Sequence, residues 1–455
     1  MAPYLALLFT CCFIAWLLRA DLKFRRGGSL ALLIPGIWLA IAGTRPVSSW
    51  FMSSEELASA KVTLEGNPIN TLIIGILILA ALIVLNRRSI NWGEIVRTNQ
   101  VIFLVYFYFA LSSVWSLDPF TSLKRLMKDF GSVPILMIFL TEEDPSLAVR
   151  TVFVRLSYII FPLSILCGRY FPSIGRGYGI GGEPMFTGLS DQKNSLGQVA
   201  MVFGLMIIYD FLELRNLKES PRIRKQKSID ILMLLIGLWI LIACNSKTSL
   251  ICLMVGTAIL LGARKARNIK NGRTILIGCL SVALSLMIFE KTIGVSESAL
   301  RMLGRDPTLT GRSLLWETIK AQIGSPILGE GFSIFWNTPR GEAVADVVGP
   351  INTAHNGYLE MYLDGGLFGE TLIFLMLFVL AGRSVAWVFQ HRPVGEMGLI
   401  YLSAVILHNC SETSFFRLSV LWFAFLLSLM EAPNRIFAIP VKSGRILIRR
   451  TTAAV

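Results

Sequence analysis

The residues best suited to chemistry lie in the last quarter of the chain, where a histidine precedes two glycines at a defined spacing. His355-Asn356 is followed by nine residues and then by Gly366-x-x-Gly369. Histidine is the side chain whose ordinary pKa, about 6.5, lets it accept a proton near neutral pH. Because the protein has only three histidines, His355 is the first candidate for a general base. A hydrogen-bonded loop histidine without a catalytic role is the alternative.

An arginine upstream of this histidine is suited to binding an anion. The guanidinium of Arg312 is planar, donates hydrogen bonds in pairs and stays charged, which suits phosphate. After it, Leu315, Ile319 and Ile323 recur every four residues and predict a short amphipathic helix. The N–H groups at the start of that helix favour an anion beside Arg312. An ordinary solvated arginine is the alternative.

Four lysines and arginines elsewhere are weaker candidates for the same anion. Lys193-Asn194 opens an apolar run, and Lys247 stands in a polar break between two such runs. Arg125 and Lys128 belong to a basic patch at the outer end of another run. Each of these cations is also explained as an anchor at the membrane surface.

Other polar residues are interpreted as structural or as lining a pocket. The run His408-Asn409-Cys410-Ser411-Glu412 lies between two apolar segments, where polar groups usually face the interior of a helix bundle. All seven cysteines lie within or at the edge of apolar segments, so no disulfide framework is predicted. No histidine and cysteine spacing typical of a metal site is present, and we expect neither a metal nor a cofactor.

Membrane helices must position these candidates. The chain has 455 residues, of which 54% are hydrophobic and only 16% charged, a balance typical of membrane proteins. Because a spanning helix needs about 20 apolar residues, the recurring apolar runs predict an all-α integral membrane protein with about 12 or 13 transmembrane helices. Whether residues 3–18 span the membrane is left open. The runs lie near 3–18, 30–44, 69–85, 99–117, 123–141, 151–171, 194–214, 229–244, 248–262, 274–290, 367–389, 398–411 and 415–431.

The net charge of +14 is spread over alternate short loops, which argues against nucleic acid as a partner and assigns those loops to the cytoplasm. The chain then divides into about ten transmembrane helices over 1–290, a large outer loop over 291–366, and the last helices with a basic cytoplasmic tail over 367–455. A loop as long as 291–366 is the expected place for chemistry.

Five stretches together resemble the O-antigen ligase and Wzy-type polysaccharide polymerase superfamily. The hallmark of His, Asn, nine residues and Gly-x-x-Gly matches completely at 355–369. Upstream, Gly311-Arg312-Ser313-Leu314-Leu315-Trp316 and Pro326…Gly329-Glu330-Gly331 are similar in order and spacing. The turn at Ser246-Lys247 is similar to one whose cation is held to bind a lipid diphosphate, and Lys193-Asn194-x-x-Gly197 resembles exopolysaccharide polymerases more than ligases.

The resemblance implies a GT-C-like fold and a metal-independent glycosyltransferase in the bacterial inner membrane, with its active site facing the periplasm. Its donor would be an oligosaccharide on undecaprenyl diphosphate. Expected partners are this lipid, the surrounding membrane lipids, a flippase and a chain-length regulator, and no nucleic acid. His355 and Arg312 would be catalytic, and the residues expected to bind substrate or diphosphate are Lys247, Lys193, Asn194, Arg125, Lys128, Asn356 and Tyr358.

Several functions are compatible with these sequence features. A polymerase joins one lipid-linked repeat unit to another, whereas a ligase transfers the glycan to lipid A core, and the Lys193 stretch favours the polymerase slightly. A transporter or flippase for the same lipid would need charges and helix breaks at corresponding places in two halves. A non-catalytic scaffold would tolerate changes at both His355 and Arg312.

Overall fold

A computed structural model describes residues 2–25, 28–52, 67–88, 90–178, 182–274, 276–277, 312–349 and 351–432. Its regular elements are almost entirely helical, apart from an antiparallel hairpin of β1 (Arg176–Tyr178) and β2 (Pro184–Phe186). The helices are α1 (Ala2–Phe24), α2 (Leu33–Gly43), α3 (Pro68–Arg87), α4 (Trp92–Thr98), α5 (Gln100–Ser112), α6 (Pro119–Phe130), α7 (Ser132–Leu140), α8 (Pro145–Tyr170), α9 (Pro172–Gly175), α10 (Lys193–Arg215), α11 (Pro221–Ala243), α12 (Lys247–Ala266), α13 (Arg312–Ala321), α14 (Pro339–Val348), α15 (Gly357–Phe389), α16 (Pro393–His408) and α17 (Val420–Leu429).

Seven of the described helices are long and apolar enough to cross a membrane, namely α1, α3, α8, α10, α11, α12 and α15. The pair α4 and α5 is bent by 97° and adds an eighth span if it is counted as one. Shorter apolar helices lie at Leu30–Gly43, Pro393–His408 and Val420–Leu429. The predicted all-α integral membrane fold is confirmed, and the chain is a multi-pass membrane protein.

Some apolar runs that predict one spanning helix are divided in the structure. The run near 123–141 is divided between α6 and α7, with Gly131 at the junction. A Cβ at Gly131 would lie 2.3 Å from Cδ1 of Ile78, so α3 packs directly against this glycine. Most of the predicted run near 274–290, the beginning of the outer loop and the basic tail lie outside the described residues.

Helix α10 runs through the middle of the bundle and packs against α8, α11 and α12. Every residue from Leu196 to Ile207 is buried, because neighbouring helices cover all faces of α10. The surrounding core is rich in large aromatic side chains, which include Trp38, Trp422 and Tyr158. Because α10 is packed on all sides, the polar residues at its two ends are held in fixed positions.

The pair Gly365-Gly366 in the sequence predicts a break or bend in the chain. Helix α15 does break there, at Gly366, whose φ of 60° and ψ of −162° are not helical. Such a break frees backbone groups that need new partners. Four backbone hydrogen bonds of 2.8–3.2 Å join residues 363–368 to the segment 326–331. Segment 326–331 of the outer loop therefore supplies the hydrogen-bond partners that the break in α15 leaves without an intrahelical partner.

Close packing explains why this junction is built from glycines. A Cβ at Gly366 would lie 2.3 Å from the carbonyl carbon of Ile327, and one at Gly329 would lie 2.5 Å from that of Asp364. Both residues also have positive φ, which glycine adopts without strain. The two glycine motifs of the sequence are thus one structural unit, and it fixes the first turns of α15 against the outer loop.

Candidate active site

Four helices begin around residues 409–413, the first part of the connection between α16 and α17, which is here called the 409–413 turn. Near the starts of α10 and α12, Asn194 Nδ2 donates to Glu412 Oε1 at 2.7 Å, and Thr248 Oγ1 lies 2.6 Å from Ser411 Oγ. At the start of α13, Arg312 contacts Glu412, and at the start of α15 the Gly357 N–H reaches the Glu412 carbonyl oxygen at 3.0 Å. Helix N-termini carry partial positive charge, so the turn lies in an environment that favours anions.

The His355 imidazole lies against this turn. Its Nδ1 is 3.2 Å from Glu412 Oε2, and 26% of the side chain remains exposed. The residue has a φ of 48°, in the left-handed region that side chains other than glycine rarely adopt. Backbone conformations of this kind persist when neighbouring contacts impose them, and they are concentrated at functional sites.

Contacts on the preceding residue impose this conformation. The N–H of Ala354 donates to Glu360 Oε2 at 2.8 Å, and its carbonyl accepts from Trp316 Nε1 at 2.8 Å. One residue earlier, the hydroxyl of Thr353 donates to that of Thr413 at 2.9 Å. The segment that leads into His355 is therefore hydrogen-bonded to α13, to α15 and to the 409–413 turn.

The Glu360 carboxylate is a buried support for this arrangement, with only 1% of the residue exposed. Besides the Ala354 N–H, it accepts from Trp336 Nε1 at 2.8 Å and from Arg417 Nη2 at 2.7 Å. A buried carboxylate is stable when donors and a cation satisfy it. Glu360 therefore fastens α15 to the outer loop and to the connection after the 409–413 turn.

Arg312 and His355 meet on the same carboxylate. Arg312 Nη2 donates to Glu412 Oε1 at 2.7 Å, and Nη1 donates to the Ser411 carbonyl. Oε2 of Glu412 faces His355, so each carboxylate oxygen serves one of the two residues. The structure thus brings together the two side chains that the sequence singles out for catalysis.

The Glu412 side chain is 12% exposed. Burial by itself would raise the pKa of this carboxyl, but the hydrogen bond with His355 and the charge of Arg312 outweigh burial and lower it below its usual value. Glu412 is therefore ionised at neutral pH. The sequence interpretation missed this role, because nothing in the sequence pairs Glu412 with a histidine 57 positions earlier.

The two lysines predicted to bind diphosphate stand at the same end of the bundle. Lys193 precedes Asn194 at the start of α10, and Lys247 precedes Thr248 at the start of α12, where it is exposed. A Cβ at Gly197 would lie 2.4 Å from Cβ of Ser246. This glycine therefore lets the two helix starts lie side by side, which is a packing reason for the Lys-Asn-x-x-Gly pattern.

Asn356 and Tyr358 have structural contacts. The side chain of Asn356 caps α15 by accepting from the N–H groups of Tyr358 and Leu359 at 3.1 and 3.2 Å. Tyr358 is only 2% exposed, donates to the Ile406 carbonyl at 3.1 Å and stacks on Phe374. The burial of Tyr358 counts against the predicted contact with substrate, and for Asn356 that contact stays a prediction.

The basic patch on α6 lies against another part of the outer loop. Arg125 Nη1 donates to the Ser333 carbonyl and to Asn337 Oδ1, the latter at 2.9 Å. Lys128 is exposed one turn further along the helix. Arg125 thus fastens α6 to the outer loop, and binding of diphosphate by either residue stays a prediction. Among the described residues, no group of three or more His, Cys, Asp or Glu side chains is arranged to hold a metal.

Comparison with known proteins agrees with this architecture. The profile of the Wzy_C family, described as O-antigen ligase, matches residues 232–375, a range that includes Lys247, Arg312 and His355 but ends before Glu412. The exopolysaccharide production protein ExoQ of Rhizobium meliloti (strain 1021) is 24% identical over 303 residues, which are 61% of this chain and 63% of that protein. The match thus spans less than two thirds of the relative. The resemblance to the O-antigen ligase and Wzy-type polymerase superfamily is confirmed, and residues 232–375 of this multi-pass membrane protein are the part that matches the family profile.

Proposed function

We propose that this protein is a polysaccharide polymerase that joins oligosaccharide repeat units carried on undecaprenyl diphosphate. The observation that carries the proposal is the shared carboxylate of Glu412, which holds a candidate base, His355, beside a candidate phosphate-binding cation, Arg312. Transfer from a lipid diphosphate needs both functions at one place, since a hydroxyl must lose a proton while a diphosphate gains charge.

The donor's diphosphate is stabilised by cations and helix N-termini. Arg312, Lys193 and Lys247 stand at the starts of α13, α10 and α12. Within the described part of the chain, the N-cap residues of α10 and α12, Gln192 and Ser246, make no side-chain capping hydrogen bond. The first N–H groups of these helices therefore suit an external anion.

His355 acts as the general base. Because its Nδ1 faces Glu412, Nε2 is the nitrogen that takes the proton of the acceptor sugar's hydroxyl. The hydroxyl oxygen forms a bond to the anomeric carbon of the donor as the bond between that carbon and the diphosphate oxygen breaks. Undecaprenyl diphosphate leaves with the electron pair, and the proton stays on His355. A placed base of this kind contributes about 10²–10⁴-fold to the rate, and the reaction needs no metal.

The reaction takes place at the periplasmic face of the bacterial inner membrane. The starts of α10 and α12 carry the site, while the opposite ends of the same helices lead into loops rich in lysine and arginine, at 215–227 and 264–273. Basic loops remain on the cytoplasmic side, so the site faces outward. We expect a flippase to supply the lipid-linked units and a regulator to set the chain length.

A ligase is the second candidate, since the matching family profile is described as O-antigen ligase. The two reactions share the donor and the base and differ in the acceptor. Similarity to an exopolysaccharide production protein favours the polymerase, as does the Lys193-Asn194-x-x-Gly197 stretch. A transporter is less favoured, because the candidate functional residues gather at one end of the bundle.

The glycan profile of a deletion strain tests the proposal. A polymerase predicts loss of long polymer and accumulation of single lipid-linked units, and restoration by the wild-type gene. Accumulation of long, unattached chains would instead identify a ligase. An unchanged glycan profile would contradict both functions.

A further inference from the structure

We infer that Glu412 is a positioning residue, which holds His355 with its proton on Nδ1 and so leaves Nε2 free to act. This inference rests on the proposed function and adds to it a residue that lies beyond the family match at 232–375. The two oxygens of its carboxylate have separate tasks. Oε2 faces the imidazole at 3.2 Å, and Oε1 accepts from Arg312 and Asn194, each at 2.7 Å.

The backbone that carries the Glu412 side chain is hydrogen-bonded on both sides. The Glu412 N–H donates to the His408 carbonyl at 2.9 Å, and its carbonyl accepts from Gly357 at 3.0 Å. The neighbouring side chains of Ser411 and Thr413 hydrogen-bond Thr248 and Thr353. The backbone of Glu412 is thus fixed relative to the starts of α12 and α15, and Arg312 and Asn194 hold the carboxylate itself.

The chemistry of the two groups decides which nitrogen carries the proton. A neutral imidazole has one N–H and one acceptor nitrogen, and an ionised carboxylate can only accept. The nitrogen that faces Glu412 must therefore be the protonated one. When Nε2 takes a second proton, the nearby negative charge stabilises the resulting imidazolium.

The same carboxylate lets a base and a cation work side by side. A guanidinium close to a histidine opposes the charging of that histidine, because like charges repel. Glu412 lies between Arg312 and His355 and pairs with both. It therefore offsets the repulsion while it fixes both side chains at the site.

Glu412→Gln gives a sharp test, because the replacement has nearly the same shape. Arg312 and Asn194 are donors, so the amide oxygen must take the position of Oε1 and the NH₂ group that of Oε2. The NH₂ group then donates to Nδ1 of His355, and the imidazole proton moves to Nε2. A histidine held in the wrong tautomer costs hydrolases with a His-Asp pair about 10⁴-fold, and we expect polymer formation to fall by about 10²–10⁴-fold.

Solid-state NMR of the full-length protein, labelled with ¹⁵N-histidine and reconstituted in phosphatidylcholine bilayers, reads the tautomer directly. With three histidines in the chain, His391→Ala and His408→Gln leave the His355 signals to be assigned. We expect the proton on Nδ1 in the wild type and on Nε2 in Glu412→Gln. Glu431→Gln, which alters the carboxylate that pairs with Arg392, is the matched control and should leave His355 unchanged.

A wild-type proton on Nε2, or a tautomer that Glu412→Gln does not change, would overturn the inference. The measurement needs no substrate, so it is independent of the proposed function. If the tautomer shifts as expected but His355→Ala still makes polymer, the role of Glu412 in holding the imidazole stands and the proposed reaction is wrong.

Discussion

The two ends of helix α10 carry two clusters of charged residues that differ in kind. Near its start, Asn194 contacts Glu412 in the candidate active site. Near its other end, Asp210 pairs with Arg25 and Arg150. At 1.5 Å per residue, the two positions lie roughly 24 Å apart along the helix axis.

The second cluster is a closed ion network. Asp21 and Asp210 are completely buried, and each pairs with Arg25. Their remaining oxygens accept from Arg155 and Arg150, each at 2.6 Å. Because these residues come from α1, α8 and α10 or its flanks, the network ties three helices together.

The difference between the clusters separates a structural role from a chemical one. In the ion network, every carboxylate oxygen of the two aspartates pairs with an arginine, and the aspartates lie within regular helices. In the candidate site, the groups lie at helix starts and turns, His355 has a left-handed backbone, and its imidazole is partly exposed. Charged residues inside a membrane protein are usually functional. Here, the pairing of all four aspartate oxygens and the burial of both aspartates indicate that the ion network stabilises the fold instead.

Arg25→Ala should disrupt the ion network, and of the substitutions considered we expect it to lower stability the most. It removes a cation that two buried aspartates share, and breaking a buried pair costs about 3–5 kcal/mol. We expect a lower thermal unfolding temperature of the purified protein and less of it in the membrane. The matched control is Lys227→Ala, which breaks a more exposed pair with Glu219 and should change stability little. If Arg25→Ala were as stable as the wild type, the structural role of the ion network would be contradicted.

Gly366→Ala should affect the candidate site through the backbone. The new Cβ would lie 2.3 Å from the carbonyl carbon of Ile327. Residue 366 also has a positive φ, a conformation that costs a residue other than glycine about 1–3 kcal/mol. Since the segment 326–331 must move, we expect lower stability together with reduced polymer formation. Gly382→Ala, on the same helix and with open space around its Cβ, is the control. Equal behaviour of the two variants would show that the junction does not position the site.

The sequence predicts the local features of this architecture well and the pairing of distant residues poorly. The apolar runs, the short helix after Arg312 and the break at Gly366 follow from periodicity and from glycine chemistry. The pairing of Glu412 with His355 depends on where α16 ends relative to α15, which no local pattern encodes. Burial of Tyr358 likewise follows from packing between helices. The close packing of Gly131, between α6 and α7, against α3 likewise depends on a contact between distant residues.

Acidification should lower the unfolding temperature of the wild type through protonation of Glu412, and we expect this effect to be smaller than those of the two substitutions above. Its pKa is lower in the folded protein than its usual value of 4.5. A lowered pKa adds stability above that value, and this stability is lost as the pH falls through the folded pKa. The unfolding temperature of the wild type should therefore fall more steeply below about pH 4.5 than that of Glu412→Gln. Parallel curves for the two proteins would contradict the ionised pairing of Glu412.

Sugar transfer by the purified protein, from a lipid-linked repeat unit of its own host, shows directly whether His355 is the base. His355→Ala should fold and unfold like the wild type and lose about 10²–10⁴-fold in rate. His391→Ala, an exposed histidine at the opposite end of α15, should remain active. Transfer by His355→Ala at the wild-type rate would contradict the assignment of this imidazole as the base.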